Sequence, residues 1–197
     1  MKKRLAIAFL AIASILGTFG SMKAETIVGV KTNLIGDALL SPNIAFEFGL
    51  APKWSLDLSG ELNLWDVNGH KWKHWVVQPE ARYWLCSRFA GHFFGLHALG
   101  GQYNFGHIKN GIHFLGSNFS NLTDHRYQGW GVGAGVAYGY AWILNKHWNF
   151  EAEIGIGWIY TKFDTYECAD CGKKVASDQH HNYFGPTKAA LSVVYLF

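Results

Sequence analysis

From Trp130 to Trp142 the chain changes character at every step. Trp130, Val132, Ala134, Val136, Tyr138, Tyr140 and Trp142 alternate with Gly131, Gly133, Gly135, Ala137, Gly139 and Ala141. Side chains of an extended chain point to opposite faces in turn, so this period of two predicts a strand and excludes a helix. The pattern recurs in Trp148, Phe150, Ala152, Ile154, Ile156, Trp158 and Tyr160 against Asn149, Glu151, Glu153, Gly155 and Gly157. It also sets Ile44, Phe46, Phe48 and Leu50 against Ala45, Glu47 and Gly49. Trp54, Leu56, Leu58, Leu62 and Leu64 face away from Ser55, Asp57, Ser59, Glu61 and Asn63, and Val77, Ala81, Tyr83 and Leu85 away from Gln78, Glu80 and Arg82. Weaker versions at about 26–34, 92–104 and 187–197 bring the expected number of strands to eight, with Lys31, His97 and Lys188 on the polar or small faces.

Alternation alone does not separate a soluble sandwich from a membrane barrel; the chemistry of the two faces does. A soluble sheet turns Lys, Thr and Glu to water. Here one face is Gly, Ala, Ser and isolated charges, while the other carries rows of aromatics and Leu. Such rows on a wetted surface are an aggregation hazard, but they match a lipid-facing wall with aromatic girdles. The fold expected is all-β: an eight-stranded antiparallel transmembrane β-barrel of the outer-membrane type. Connections at 51–53, 86–91 and 145–147 are short, and those at about 35–42, 65–74, 105–125 and 164–186 are long. Short periplasmic turns alternating with long outer loops put both termini in the periplasm.

The two ends of the sequence agree. Lys2, Lys3 and Arg4 precede an apolar run from Leu5 to Phe19, and Ala24 offers a cleavage point, so residues 1–24 read as a signal peptide and 25–197 as the barrel. Leu191, Val193, Tyr195 and Phe197 resemble the terminal-strand assembly signal of outer-membrane barrels.

A barrel of eight strands has an interior that side chains can fill. The small-residue faces place Lys31, Glu47, Asp57, Glu61, Glu80, Arg82, Glu151, Glu153 and Lys188 there, with His97, as a buried charge network. Charges in so narrow a space must pair or neutralise. A plug of salt bridges is the expectation, and a proton or ion path the alternative.

Seven of the ten histidines fall in the expected outer loops: His70, His74, His107, His113, His125, His180 and His181. Cys168 and Cys171 precede the last two, and this set has the ligand types zinc prefers. Exported cysteine pairs usually oxidise, so a disulfide that staples the loop stands ahead of the metal reading, with neither role third. No cofactor is required, and zinc is the one candidate. Cys86, in a periplasmic turn, reads as a free thiol. The glycines at 131, 133 and 135 keep strand period and form no phosphate loop. No His-x-Ser occurs, and Asp124 and His125, adjacent on a strand, would point apart, so no catalytic residues are expected. A net charge of +3 is too small to imply nucleic acid.

Several stretches resemble a known family: Lys31-Thr-Asn-Leu34 with Asp37-Ala-Leu-Leu40 and Pro42-Asn43, Trp54-Ser-Leu-Asp-Leu58, Trp72-Lys-His-Trp75, Gln78-Pro-Glu80 with Arg82-Tyr-Trp84, Gly91-His-Phe-Phe-Gly-Leu-His97, and Tyr183-Phe-Gly-Pro-Thr-Lys-Ala-Ala190. Together they resemble the uncharacterised family known as domain of unknown function 3575, found in bacteria of the Bacteroides group. The resemblance implies an outer-membrane barrel, points toward fimbrial and surface-adhesion partners, and supplies no catalytic residues.

The resulting expectation is a non-enzymatic, monomeric barrel in the bacterial outer membrane, held by outer-membrane lipid and inserted by the barrel assembly machinery. It would display its loops for adhesion, surface assembly or envelope structure, with a surface or fimbrial protein as partner. The alternative is a ligand- or metal-binding barrel using Cys168, Cys171, His180 and His181. An outer-membrane lipid-modifying enzyme stands third.

Overall fold

The structure, a computed structural model, describes residues 28–67, 70–106, 113–114, 117–118, 125–168 and 172–197. The expected signal peptide (1–24), His107, Asp124 and Cys171 lie outside them, and of His70 and His113 only the backbone is described. In chain order the elements are β1 (Val28–Asn33), α1 (Leu34–Ala38), β2 (Asn43–Ala51), β3 (Trp54–Val67), β4 (His70–Trp84) and β5 (Gly91–Gly106). A small pair, β6 (His113–Phe114) and β7 (Ser117–Asn118), precedes β8 (Arg126–Ile143), β9 (Trp148–Tyr166) and β10 (Lys174–Leu196).

Eight strands form one closed ring, in the order β1-β10-β9-β8-β5-β4-β3-β2, every neighbouring pair antiparallel. The ring closes through β1, which pairs with β2 on one side and with β10 on the other, Lys31 opposite Val194. The faces follow the alternation in the sequence. Glu47, Ser55, Asp57, Glu80, Arg82, Glu151 and Glu153 are buried inside, while Ile44, Phe46, Leu58, Val77, Val132, Val136, Ile154 and Ile156 are exposed outside.

Two of the expected long connections are mostly strand. β3 runs to Val67 and β4 begins at His70, with those two residues paired, so only 68 and 69 lie between them. Asn68-Gly69 is the sequence signature of a two-residue hairpin, the signal that would have corrected the 65–74 loop. β9 runs to Tyr166, and β10 starts at Lys174 with register shifts near Ala176 and Gln179. Those irregularities break the period of two and hide the strand from a pattern reading. Trp130, Trp158 and Tyr160 consequently mark an edge of the apolar band, and their strands run on past them to Arg126 and Tyr166. Beyond them the wall is polar and tied by exposed ion pairs, Lys73–Asp66 at 3.0 Å, Lys162–Asp178 at 2.8 Å and Lys174–Asp164 at 2.7 Å. The Lys174 ammonium, with the Asp178 amide, holds the Asp164 carboxyl below its ordinary range.

The first connection folds as a polar knot at the same end. Asn33 caps α1 by accepting from the Ile35 amide at 3.1 Å, and Thr32 donates to Asp37 at 2.7 Å. The Asn43 amide donates to Asp37 at 3.1 Å and to the Asn33 carbonyl at 3.0 Å.

One row of glycines sets how closely the wall packs. Gly135 faces Gly157 across β8 and β9, and a Cβ on Gly135 would stand 2.7 Å from His97 Nε2 and 2.9 Å from the Gly157 Cα. Gly60 on β3 would meet nothing within 4 Å. Gly135→Ala is therefore expected to cost about 1–3 kcal/mol through overpacking. Gly60→Ala is expected to be neutral or to gain roughly 0.5 kcal/mol through chain entropy. Urea unfolding midpoints of the two variants check the contrast.

Candidate functional site

Inside the ring, the end with the short connections is closed by an apolar plug. Trp84, Phe89, Phe93 and Ala141 pack together there with almost no exposure. Phe89 belongs to the 85–90 turn, takes a positive φ of 60°, and sends its ring inward. The Asn149 amide donates to the Phe89 carbonyl at 2.6 Å, and the Trp84 indole donates to Ser55 Oγ at 2.8 Å. Trp84 occupies the same face of β4 as Glu80 and Arg82. Extending the alternation two residues past Arg82 would have found it.

A layer of charge lies against this plug. The Arg82 guanidinium sits 4.4 Å from the Phe93 ring centroid and reaches four carboxylates. Its Nε donates to Glu80 at 2.6 Å, Nη1 to Glu47 at 2.8 Å and to Glu151 at 3.0 Å, and Nη2 to Glu153 at 2.6 Å. Lys31 pairs with Asp57, with Glu47 at 2.6 Å and with Glu151 at 3.3 Å. Lys188 completes the layer, 2.8 Å from Glu80 and 3.2 Å from Glu153. Ser55 Oγ donates to Glu47. Five carboxylates thus face three cations. His97 stands beside them, Nδ1 3.5 Å from Glu80 and Nε2 2.8 Å from Thr187 Oγ1. The strand irregularity between Pro186 and Lys188 inserts Thr187 opposite no partner on β9, and this bulge lets both Thr187 and Lys188 address the interior.

Eight of the nine charged residues assigned to the interior meet in this layer. Glu61 does not. It lies four positions beyond Asp57 on β3, roughly 13 Å along an extended chain, and pairs with His74 at 2.9 Å. Above the charged layer the inward positions turn aromatic. Trp72 stacks on Phe105 at 4.4 Å, Tyr103 on Phe105 at 5.2 Å, and Tyr127 meets Phe163 edge-on at 5.6 Å. The sequence reading did not assign this lining.

The candidate metal residues that the structure describes are spread apart. Cys168 is disulfide-bonded and Cys86 is a free, exposed cysteine. His180 and His181 are neighbours on β10 and face opposite ways, His180 stacking on the outward Tyr160. His180 lies opposite Lys162, four positions (roughly 13 Å) short of Tyr166, and Cys168 lies past that. Among the described residues no group of three or more His, Cys, Asp or Glu side chains is arranged to hold a metal. At the C-terminus, Leu191, Val193, Tyr195 and Phe197 share the outward face. Tyr195 meets Phe197 at 4.9 Å and Trp148 at 5.0 Å.

The most built part of the molecule is the buried charge layer, and its Lys31, Asp57, Glu80, Arg82 and Lys188 lie in the stretches that resemble the family. The model of the family described as protein of unknown function (DUF3575) matches residues 7–197. The chain belongs to the DUF3575 family. No curated protein and no solved structure matches it.

In this DUF3575 chain, the resembling stretches fall on structural joints. Lys31 to Asn43 builds the polar knot and supplies Lys31; Gln78 to Trp84 supplies Glu80, Arg82 and, in the plug, Trp84. Gly91 to His97 adds Phe93 and His97, and Tyr183 to Ala190 carries the bulge that delivers Thr187 and Lys188.

Proposed function

We propose that this protein is a non-enzymatic outer-membrane β-barrel whose filled interior makes it a rigid scaffold, with its far rim displayed for adhesion, surface assembly or envelope structure. The observation that carries the reading is the outward band of large apolar side chains encircling a closed ring. On β9 it runs from Trp148 to Trp158, both more than two-fifths exposed. Ten steps at about 3.3 Å, tilted by about 40°, span roughly 25 Å, the height of a lipid-facing band. Aromatics border it on both sides: Trp54 against Tyr83, and Tyr140 against Trp142, at the short-turn end, and Trp130 against Tyr160 at the other. A layer of charged pairs crosses the interior with the apolar plug beside it, which suits a scaffold better than a pore.

In this reading residues 1–24 are a signal peptide, both termini are periplasmic, and Leu191, Val193, Tyr195 and Phe197 are read by the assembly machinery. The partner is a surface or fimbrial protein meeting the far rim. The test is refolding of residues 25–197 into phosphatidylcholine vesicles. The expected result is a band that migrates faster unboiled than boiled, floats with the vesicles and resists protease through the strands. A chain that stays monomeric and folded in detergent-free buffer would overturn the proposal.

A further inference from the structure

We infer that the outer wall carries a binding groove for the sugar headgroup of a membrane glycolipid; the inference rests on the outer-membrane reading above. The groove has a volume of about 390 Å³ and opens on the outward face where the apolar band gives way to the polar strand ends. Trp75, Gln102 and Trp130 lie side by side on β4, β5 and β8, and Lys73, Asn104 and Gln128 form the next tier along the same strands. The two indoles, two strands apart, stand about 10 Å from each other at the backbone. That spacing lets them flank a ligand across a floor of three amides.

The chemistry of this surface selects the occupant. Indole faces take the C–H face of a pyranose, and amides exchange hydrogen bonds with its hydroxyls. Part of the floor is pre-set, because the Trp75 indole donates to Gln102 Oε1 at 3.3 Å. Asn104 Oδ1, covered by its neighbours, finds no hydrogen-bond partner among the described residues. A buried acceptor left unmatched costs free energy, and an entering hydroxyl could satisfy it after a rotation of the amide. A lipid tail alone has no donor for that oxygen. The depth argues for an anchored sugar over a free one. Val77 and Val132, two positions further into the apolar band from Trp75 and Trp130, are exposed on the same outward face, so an acyl chain can follow the apolar wall below while the headgroup occupies the amide tier.

The experiment uses the folded protein in micelles containing equal mole fractions of phosphatidylcholine and digalactosyl diacylglycerol, with retained lipid counted by native mass spectrometry. One glycolipid per chain is expected, favoured about tenfold over phosphatidylcholine, a difference of roughly 1.4 kcal/mol. Gln102→Ala with Gln128→Ala should abolish the preference, and Trp130→Phe should reduce it less than Trp130→Ala. Equal retention of both lipids, or a preference unchanged in the double variant, would overturn the inference. Displacement by millimolar free digalactose would also overturn it, making the groove a site for soluble saccharides. Each sample is first checked for the faster-migrating unboiled band, so loss of the groove's selectivity is distinguished from failure of the barrel itself.

Discussion

Arg82→Met is expected to be the most damaging single substitution in the interior, lowering stability by about 3–5 kcal/mol, the usual cost of removing one partner from a buried ion pair. The guanidinium is the one group that touches Glu47, Glu80, Glu151 and Glu153 together, at 2.6–3.0 Å. Without it, five buried carboxylates would share Lys31 and Lys188. Methionine replaces much of the volume and can keep contact with Phe93, so the loss should be electrostatic and not a cavity effect. Arg82→Lys keeps the charge but presents a single nitrogen where a planar fork now binds four partners, and should fall between the two. Adding Glu47→Gln and Glu153→Gln to Arg82→Met should recover part of the stability, because the surplus negative charge shrinks with the missing cation. Urea titration of the refolded protein in vesicles reads all three. A deficit in Arg82→Met below about 1 kcal/mol, the range of exposed pairs, would mean the interior is wetter than the geometry implies.

That network was legible in outline because strand geometry leaves little freedom. Once Glu47, Asp57, Glu80 and Glu151 share a parity with Gly and Ala, a closed sheet has to turn them inward. What the pattern could not supply was height. Glu61 has the correct parity and the wrong level, since a period of two fixes the face and says nothing about which tier a residue joins. Height comes from register, and register depends on hairpins such as the one between Val67 and His70 and on the bulge beside Thr187. Trp84 and Phe93 keep the inward parity and differ in chemistry. They are large apolar residues on the face reserved for small and polar ones, and only the inward turn at 85–90 explains why the interior there is apolar. His180 and His181 illustrate the same limit in reverse. Close spacing in sequence suggested a shared ligand, but strand geometry sends them to opposite faces.

Ile154→Arg is expected to distinguish a lipid-facing wall from a wetted one. Ile154 is 63% exposed and Leu144 is 62% exposed, so in water either substitution should be nearly neutral. They differ in depth. Ile154 lies on the outward face of β9 between Trp148 and Trp158, near the middle of the apolar band, whereas Leu144 follows β8 in the short connection to Trp148. A guanidinium at the midplane of a bilayer costs about 2–4 kcal/mol and near the interface about 0–1 kcal/mol. The expected order in phosphatidylcholine vesicles is therefore wild type close to Leu144→Arg, with Ile154→Arg well below both. In detergent micelles, which deform around a charge more easily than a bilayer, the gap should narrow. Two equally exposed aliphatic residues with equal penalties would remove the bilayer from the explanation, and the apolar band would then have to be covered by protein. A penalty confined to Ile154 is what a membrane predicts and a soluble ring does not, because exposure to water carries no dependence on depth.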